Sequence, residues 1–492
     1  MAAGQGDHYR LLGVGRDASV SAIKRAYYTA ARRFHPDKNL MPGETELFME
    51  VQRAYEVLSD PERRAQYDAT LPDEQPGLEP LVYAVSYSRD NLIPLGESQL
   101  VYGLLEAEPS STAAEAADMP LNLCLALDRS TSMMGEKMEV AKAAAIRLVR
   151  MLRPQDLFSL VVFGDRAEVL LSSGLRRDSN QTQSRIQAIR PGGATEIYRG
   201  LEAAMGELRR GLEPSRGSHL IVLTDGHTYG DEPACLKLAD EAARLNISIS
   251  GFGVGSDWND VFLDELVGRT GGNSAYISNA QDIERSLVEK FRMISRILID
   301  SVTLEAQTTP GVTLTYAFRT QPAGGPIELQ ERLQLGAVVQ DLPLRVLFEF
   351  SIEASAAQNS EVTLLEGTLN AEVRNRPTAW SPMNVRMELP VDSTAAEQPP
   401  PASLMGALST LALYRLQERA RREAKAGEYE AATRHLRNLA ARLEAQGEHG
   451  LSKTAMLEAQ SIEHKKVLSE KGGKEIKYGT RALLLPPPEP AL

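Results

Sequence analysis

Three oxygen-bearing side chains follow a strand-like pattern near the middle of the chain. Residues 121–127 form a nearly continuous apolar run, which is typical of a strand buried on both faces of a parallel sheet. Asp128, Ser130 and Ser132 come directly after it, at alternate positions. Short oxygen ligands at this spacing can turn inward from one tight loop, and such all-oxygen sets suit Mg²⁺, Mn²⁺ or Ca²⁺ and suit Zn²⁺ poorly. Taken alone, the same residues could instead form an Asx or Ser turn that caps the next helix.

A second strand pattern and a glycine-rich loop supply two more oxygen side chains. The apolar run 219–224 ends at Asp225, and the loop 191–196 holds Thr195 just before a helical pattern. The carboxyl ends of parallel strands lie at one edge of an open α/β sheet, where ligands collect. In type and order, the five side chains resemble the metal-ion-dependent adhesion site of von Willebrand factor A (VWA) domains. The resemblance implies a doubly wound domain over 119–292 that binds one divalent cation, expected to be Mg²⁺. The implied ligands are Asp128, Ser130, Ser132, Thr195 and Asp225.

Three neighbouring features are interpreted without a metal or cofactor role. His227 is expected to be a loop histidine, and Glu196 is expected to add negative potential at the rim of the site. The glycines of 251–255 approach a dinucleotide-binding pattern, but the third glycine spacing is missing and the segment belongs to the fifth strand instead of the first.

The first 70 residues have the pattern of a small helical module. Apolar residues recur at helical spacing within 23–34 and again within 48–58. Between the two stretches lies His35-Pro36-Asp37, where the helix must break because proline disfavours helical geometry in the residue before it.

This tripeptide and its surroundings resemble a complete J-domain of the DnaJ type. The matching motifs are Tyr9-x-x-Leu12-Gly13, His35-Pro36-Asp37, Ala54-Tyr55-x-x-Leu58-Ser59-Asp60 and Arg64-Ala65-x-Tyr67-Asp68. The resemblance implies docking on a DnaK-type chaperone and stimulation of its ATPase through the tripeptide loop and the basic face of the preceding helix. The implied chaperone-binding residues are Lys24, Arg25, Arg33, His35, Pro36 and Asp37. Tyr28 and Thr29 stand where the family commonly has basic residues, so we expect a weaker electrostatic attraction. Arg32 could compensate in part or belong to a solvated helix face.

The remaining segments predict the fold class and the domain layout. Strand-like runs flank the metal domain on both sides, and the economical interpretation is one β-sandwich with the VWA domain inserted in it. The whole is expected to be a multidomain α and α/β protein. The predicted segments are a J-domain (1–70), a linker (71–80), the first part of the sandwich (81–118), the VWA domain (119–292), the second part of the sandwich (293–392), a linker (393–402), a C-terminal helical region (403–470) and an extended tail (471–492).

Composition narrows the possible partners and the compartment. The net charge of −12 argues against non-specific nucleic-acid binding, which needs clustered Lys and Arg. Cys124 and Cys235 give neither a disulfide framework nor a metal-binding spacing. The first residues lack the apolar core of a signal peptide, and no apolar run is long enough for a membrane helix. We therefore expect a cytoplasmic protein with no membrane contact.

The sequence favours a binding protein over an enzyme. It contains no Walker motif, no nucleophile elbow and no Cys/His zinc cluster. The first hypothesis is a co-chaperone that holds a partner protein, through an acidic residue of that partner, at the metal site and brings a DnaK-type chaperone to it. The alternative is a metal-dependent interaction scaffold, or a partner of a separate ATPase, with the J-domain as a localising arm. A metal-dependent hydrolase is the third and weakest possibility, since Mg²⁺ usually activates water beside a phosphate or several carboxylates.

Overall fold

The chain forms two compact units, Met1–Gln75 and Pro76–Leu492, which are described separately. The computed structural model describes His8, 23–24, Tyr27, 44–68, 79–114, 119–175, 180–213, 216–228, 230–358, 360–373, 381–392 and 399–483.

The described part of the N-terminal unit includes the helices α1 (Glu44–Leu58) and α2 (Pro61–Asp68), and His8, 23–24 and Tyr27 are also helical. One aromatic ring in each of α1 and α2 stacks on the ring of a residue that precedes α1 in the chain. Tyr27 stacks on Tyr55 of α1 with ring centroids 4.1 Å apart, and His8 stacks on Tyr67 of α2 at 4.4 Å. The backbone N–H of His8 also donates to the Tyr67 hydroxyl at 2.9 Å. The helical periodicity expected from the sequence is present where side chains are described, since Val51, Ala54 and Leu58 of α1 are all buried.

A six-stranded sheet lies at the centre of the second unit, in the order β5-β4-β3-β6-β7-β8. Its strands are β3 (Leu121–Asp128), β4 (Leu157–Phe163), β5 (Ala167–Leu175), β6 (Gly217–Thr224), β7 (Ile247–Val254) and β8 (Ser274–Ile277). All pairs are parallel except β4–β5. The helices between and after these strands are α4 (Glu136–Met151), α5 (Asn180–Gln187), α6 (Ile197–Arg210), α7 (Glu232–Arg244), α8 (Asp260–Gly268) and α9 (Asp282–Ser295).

Strand β3 is buried over its whole length because helices cover both faces of the sheet. Leu123 and Leu125 point into a core shared with α4 and α9, and Cys124 and Ala126 point into the opposite core beneath α6, α7 and α8. Side chains of a strand alternate between faces, so one continuous apolar run fills two cores. This confirms the doubly wound fold predicted from the sequence.

The strands that flank the central sheet form a β-sandwich with two sheets, in the orders β1-β2-β13-β10-β11 and β12-β9-β14-β15. The first two strands, β1 (Leu81–Tyr87) and β2 (Gln99–Pro109), precede the central domain and are followed by the short helix α3 (Ser111–Ala114). The others follow the domain: β9 (Ile297–Gln307), β10 (Val312–Gln321), β11 (Gly325–Ile327), β12 (Arg332–Val339), β13 (Leu344–Ile352), β14 (Glu361–Val373) and β15 (Met383–Pro390).

Strand β2 pairs antiparallel with β13 in a register that runs from Ala107 opposite Leu344 to Gln99 opposite Ile352. The two sheets share one apolar core, to which β2 contributes Val101 and Leu105. The domain with the six-stranded sheet is therefore inserted between strands of the sandwich, as the sequence predicted.

Four helices form the C-terminal region: α10 (Ala402–Ala426), α11 (Tyr429–Ala445), α12 (His449–Lys465) and α13 (Glu470–Ala482). Leu404, Leu411 and Tyr414 of α10 pack against Leu104 and Phe318 of the five-stranded sheet.

The extended tail predicted over 471–492 is wrong for its first part, because Glu470–Ala482 is a helix. Ser469 caps that helix by accepting a hydrogen bond from Gly472 N at 3.0 Å. Its buried face contains Lys474, Lys477 and Arg481, so apolar periodicity could not reveal it. Residues 484–492 lie outside the described part of the chain.

Within the described residues, no helix is both long and apolar enough to span a bilayer.

Candidate metal centre

The parallel pairing of β3 with β6 brings the ends of the two strands side by side. Leu127 lies opposite Leu223, so Asp128 and Thr224 follow as neighbours. Asp128 is fully buried; its Oδ2 accepts a hydrogen bond from Thr224 Oγ1 at 2.6 Å and its Oδ1 accepts one from Ser130 N at 2.7 Å. These two bonds fix the Asp128 carboxylate at the start of the loop that follows β3.

The two serines of this loop meet Asp225 at the end of β6. Ser130 Oγ lies 2.9 Å from Ser132 Oγ, and Ser132 Oγ donates to Asp225 Oδ1 at 2.6 Å. Neighbouring ligands of an octahedral Mg²⁺ are roughly 2.9 Å apart, because each lies about 2.0–2.1 Å from the ion. The spacing of the serine hydroxyls therefore fits one edge of such an octahedron.

The glycine-rich loop 191–196 is held against the loop that follows β3. Gly193 O accepts hydrogen bonds from the backbone N and from Oγ1 of Thr131, both at 3.1 Å, and Gly192 N donates to Arg129 O at 2.7 Å. Gly193 has φ +87°, and a Cβ there would lie 2.6 Å from Asp165 Oδ1, so this turn requires glycine.

Thr195 reaches the same cluster from this loop. Its side chain is buried, and a Cβ built on Gly226 would lie only 2.6 Å from Thr195 Oγ1. The absence of a side chain at Gly226 lets the Thr195 hydroxyl lie against the backbone directly after Asp225. The structure thus brings together all five residues that the sequence singled out.

Lys137 also belongs to the site, although the sequence analysis missed it. Its Nζ lies 2.5 Å from Asp225 Oδ2 and donates to Ser132 O at 3.3 Å. The Asp225 side chain is fully buried, whereas that of Lys137 is 33% exposed. The only available signal was its place five residues after Ser132 in the first turn of α4, which an exposed helix face explains equally well.

The protein environment makes the Asp128 charge unfavourable. Burial raises the pKa of Asp128 to about 6, although hydrogen bonds from Thr224 and Ser130 act in the opposite direction, and the nearby Asp225 charge raises it further. A divalent cation between the two carboxylates would relieve this cost.

The donor set fits a hard cation. It combines two carboxylates and three hydroxyls, all with oxygen atoms at the carboxyl edge of the sheet. No group of three His, Cys, Asp or Glu side chains suited to a metal occurs in the described residues.

The structure describes only some of the other residues considered from the sequence. Glu196 is exposed and pairs with Arg199 at 3.6 Å, and His227 is exposed. Lys24 is exposed. The other proposed chaperone-binding residues lie outside the described part of the chain: Arg25, Arg33, His35, Pro36 and Asp37.

Comparison with known proteins defines the class. Residues 7–68 match the DnaJ domain, 122–290 match the von Willebrand factor type A domain, and 402–486 match the Sll0103-like C-terminal alpha-helical domain. The protein therefore contains a J-domain and a VWA domain, followed by a helical domain of the Sll0103 type.

Within that class, the chain is similar to the uncharacterized protein sll0103 of Synechocystis. The two are 25% identical over 398 residues, which cover 77% of this chain and 93% of that protein. The J-domain is 60% identical to 62 residues of the chaperone protein DnaJ of Parasynechococcus marenigrum, a match that covers 13% of this chain and 16% of that protein.

Two solved structures share the fold. A von Willebrand factor type A protein from Catenulispora acidiphila superposes with a TM-score of 0.64 at 16% identity and covers 84% of this chain and 99% of its own. The ArnB paralog VWA2 from Sulfolobus acidocaldarius has a TM-score of 0.50 at 16% identity and covers 82% and 99%.

Proposed function

We propose that this protein is a co-chaperone adaptor that holds a partner protein at a Mg²⁺-dependent VWA site and recruits a DnaK-type chaperone through its J-domain. The combination of a J-domain with a VWA interaction domain supports a DnaJ-like co-chaperone. The finer assignment rests on one observation, the convergence of Asp128, Ser130, Ser132 and Asp225 in a single hydrogen-bonded cluster.

The proposed ligand roles follow from how the oxygens are used. Ser130, Ser132 and Thr195 would bind the ion directly through their hydroxyls. Both oxygens of Asp225 and both of Asp128 already accept hydrogen bonds, so at least one of these carboxylates would act through water. When bound, the ion supplies an open coordination position for a carboxylate of the partner.

The recruitment step would use the J-domain residues that the resemblance implies. His35, Pro36 and Asp37 would contact the chaperone, and the basic residues Lys24, Arg25 and Arg33 would guide association. Stimulation of the chaperone ATPase is expected to be weak and sensitive to salt, because Tyr28 and Thr29 add no positive charge.

The test measures ATP hydrolysis by a DnaK-type chaperone with the full chain added at micromolar concentration. Wild type should stimulate hydrolysis and His35→Gln should not, while circular dichroism shows the same helix content. Arg437→Gln, on the surface of the C-terminal region, serves as the matched control and should stimulate like wild type. If wild type fails to stimulate, the co-chaperone proposal is wrong and an interaction scaffold becomes the better hypothesis.

A second arm asks whether partner binding depends on the metal. The tagged chain is used to capture proteins with Mg²⁺ present or with EDTA, and the bound proteins are identified by mass spectrometry. A partner retained by wild type with Mg²⁺, and lost with EDTA or with Asp128→Ala, would support the adaptor role. Retention of the same proteins under all three conditions would contradict it.

A further inference from the structure

The ion pair between Lys137 and Asp225 places a positive charge of the protein inside the candidate metal centre. Lys137 is the second residue of α4, and its side chain turns back over the loop to reach Asp225 Oδ2 at 2.5 Å and Ser132 O at 3.3 Å. Both contacts are to residues of the oxygen cluster. The lysine is therefore part of the site and not a neighbour of it.

The opposite wall of the site leaves room for this ammonium. Gly255, directly after β7, has φ +73°, and a Cβ there would lie 3.8 Å from Lys137 Nζ. Position 255 is thus in van der Waals range of the lysine. The ammonium is enclosed between Asp225, the Ser132 backbone and this turn, with a third of its side chain still exposed to solvent.

The charge balance of the centre follows from these positions. Asp128 and Asp225 supply two negative charges, and Lys137 cancels one of them. A bound divalent cation would then keep one net positive charge at the centre. Without Lys137 the two carboxylates would neutralise the ion, and its attraction for an anionic ligand would fall.

We propose that Lys137 is a positioning residue of the metal centre. Its charge lowers the affinity of the centre for the divalent cation and raises the affinity of the bound cation for a carboxylate at the open coordination position. This inference rests on the proposed metal-dependent function. It adds that the centre selects an anionic partner through a fixed charge of the protein. A simple surface ion pair at the start of α4 would have neither effect.

The experiment titrates the full chain with Mn²⁺ alone, in place of Mg²⁺, and follows free Mn²⁺ by electron paramagnetic resonance at low ionic strength. Lys137→Met should bind Mn²⁺ about tenfold more tightly than wild type, because an ammonium at a few ångströms opposes the ion in a partly screened environment. Lys137→Arg keeps the charge and should bind like wild type.

The second readout uses acetate as the carboxylate probe. Acetate is added to the Mn²⁺-loaded proteins at constant ionic strength, with chloride as the matched anion, and loss of metal-bound water is followed by proton relaxation. Wild type should bind acetate several-fold more tightly than Lys137→Met. The two affinities thus change in opposite directions, which a merely structural role would not produce.

Lys237→Met is the matched control, since Lys237 is exposed on α7 and its substitution changes the net charge by the same amount. Equal Mn²⁺ and acetate affinities in wild type and Lys137→Met would overturn the role of Lys137 and leave the metal centre intact. Failure of wild type to bind Mn²⁺ at all would overturn the metal centre itself, and this inference with it.

Discussion

Lys477 of α13 forms a buried ion pair with Asp260 of α8, with Nζ 2.5 Å from Asp260 Oδ2, and the same ammonium lies 2.8 Å from Asp264 Oδ2. Arg481 pairs with Asp264 at 2.6 Å, and Arg421 of α10 donates to Asp260 Oδ1 at 2.6 Å. The C-terminal helices therefore dock on the VWA domain through charged side chains that are almost wholly removed from water.

This interface leads to a first prediction, for Asp264→Asn. Removing one carboxylate leaves Arg481 and part of the Lys477 charge uncompensated in a buried place, and such losses typically cost about 3 kcal/mol or more. We expect faster hydrogen exchange in α13 and earlier proteolysis near Ser469, with β3 still protected. Glu463→Gln, which removes a carboxylate from a half-exposed pair with Arg437, should leave α13 protected. Unchanged exchange in Asp264→Asn would contradict the prediction.

The same carboxylates predict how docking depends on pH. Burial acts to raise the pKa of Asp264, but the charges of Arg481 and Lys477 outweigh burial and hold that pKa well below its usual range. The stabilisation that the Asp264 carboxylate gives to the folded state is thus complete above the unfolded pKa of about 3.9. It is lost progressively as pH falls below that value toward the folded-state pKa. Hydrogen exchange of α13 at a series of acidic pH values should show release of this helix, and Asp264→Asn should weaken that dependence. Docking that is equally strong at all acidic pH values would exclude this role of Asp264.

Lys290 of α9 predicts a stability change on the alkaline side. Burial, aided by the Arg319 charge, lowers the pKa of Lys290 to about 7, and Nζ donates to Asn273 Oδ1 at 2.6 Å. Between about pH 7 and the unfolded value of about 10.4 the unfolded chain binds more protons, so stability should rise with pH. Urea unfolding at pH 6.5 and pH 9 should show that rise in wild type and a smaller one in Lys290→Met. Lys237→Met should keep the wild-type difference, and a Lys290→Met protein that also keeps it would refute the assignment.

The metal ligands predict a loss of metal affinity without loss of the fold. Asp128→Ala removes one carboxylate and the acceptor of two hydrogen bonds, so calorimetric titration with Mg²⁺ or Mn²⁺ should show affinity at least about tenfold lower. The far-ultraviolet circular dichroism should not change, because the residue lies at the end of a strand. Asp165→Ala, at the neighbouring loop, is the control for removal of a nearby acidic residue. Equal binding by wild type and Asp128→Ala would show that the loop after β3 is only a turn.

The two-part sandwich predicts long-range destabilisation. Deleting 78–108 removes β1 and almost all of β2, which leaves β13 with one unpaired edge and opens the core around Phe348 and Phe350. Limited proteolysis should then cut within 300–392 at lower protease concentration than in wild type. A protease-resistant fragment 78–292 that lacks the later strands would disprove one shared sandwich.

The parts of the fold that the sequence could predict are those with a strong apolar pattern. The continuous apolar run at 121–127 predicts the buried strand β3, and the helical spacing of apolar residues within 48–58 predicts α1. The oxygen cluster could be predicted because five oxygen side chains occur in the type and order of a known metal site, after two strand patterns and in a glycine-rich loop. Lys137 was missed because a lysine in the first turn of a helix is ordinary in any sequence, and only the fold shows that it turns back to Asp225.

The helix α13, which the sequence predicted as an extended tail, was missed for a different reason. Lys474, Lys477 and Arg481 recur at helical spacing, but a row of charged residues on a helix usually indicates a face exposed to solvent. The sequence alone does not show that acidic partners on α8 pair with Lys477 and Arg481. The fully buried Lys474, which donates to Trp258 O at 2.7 Å, is part of the same pattern. Polar interfaces of this kind have no apolar period to reveal them.

The pairing of β2 with β13 also sets an order of events during synthesis. Strand β2 leaves the ribosome long before β13, since all of 110–343 must be translated between Pro109 and Leu344. At about 5–20 residues per second this interval is roughly 10 to 50 seconds. The whole sequence of the inserted domain is synthesised within that time, so this domain can fold first. Until the later strands are made, Val101 and Leu105 lack the apolar core that covers them in the folded protein. The nascent chain therefore passes through a state in which β1 and β2, the first strands to be synthesised, are not yet covered by the rest of the sandwich.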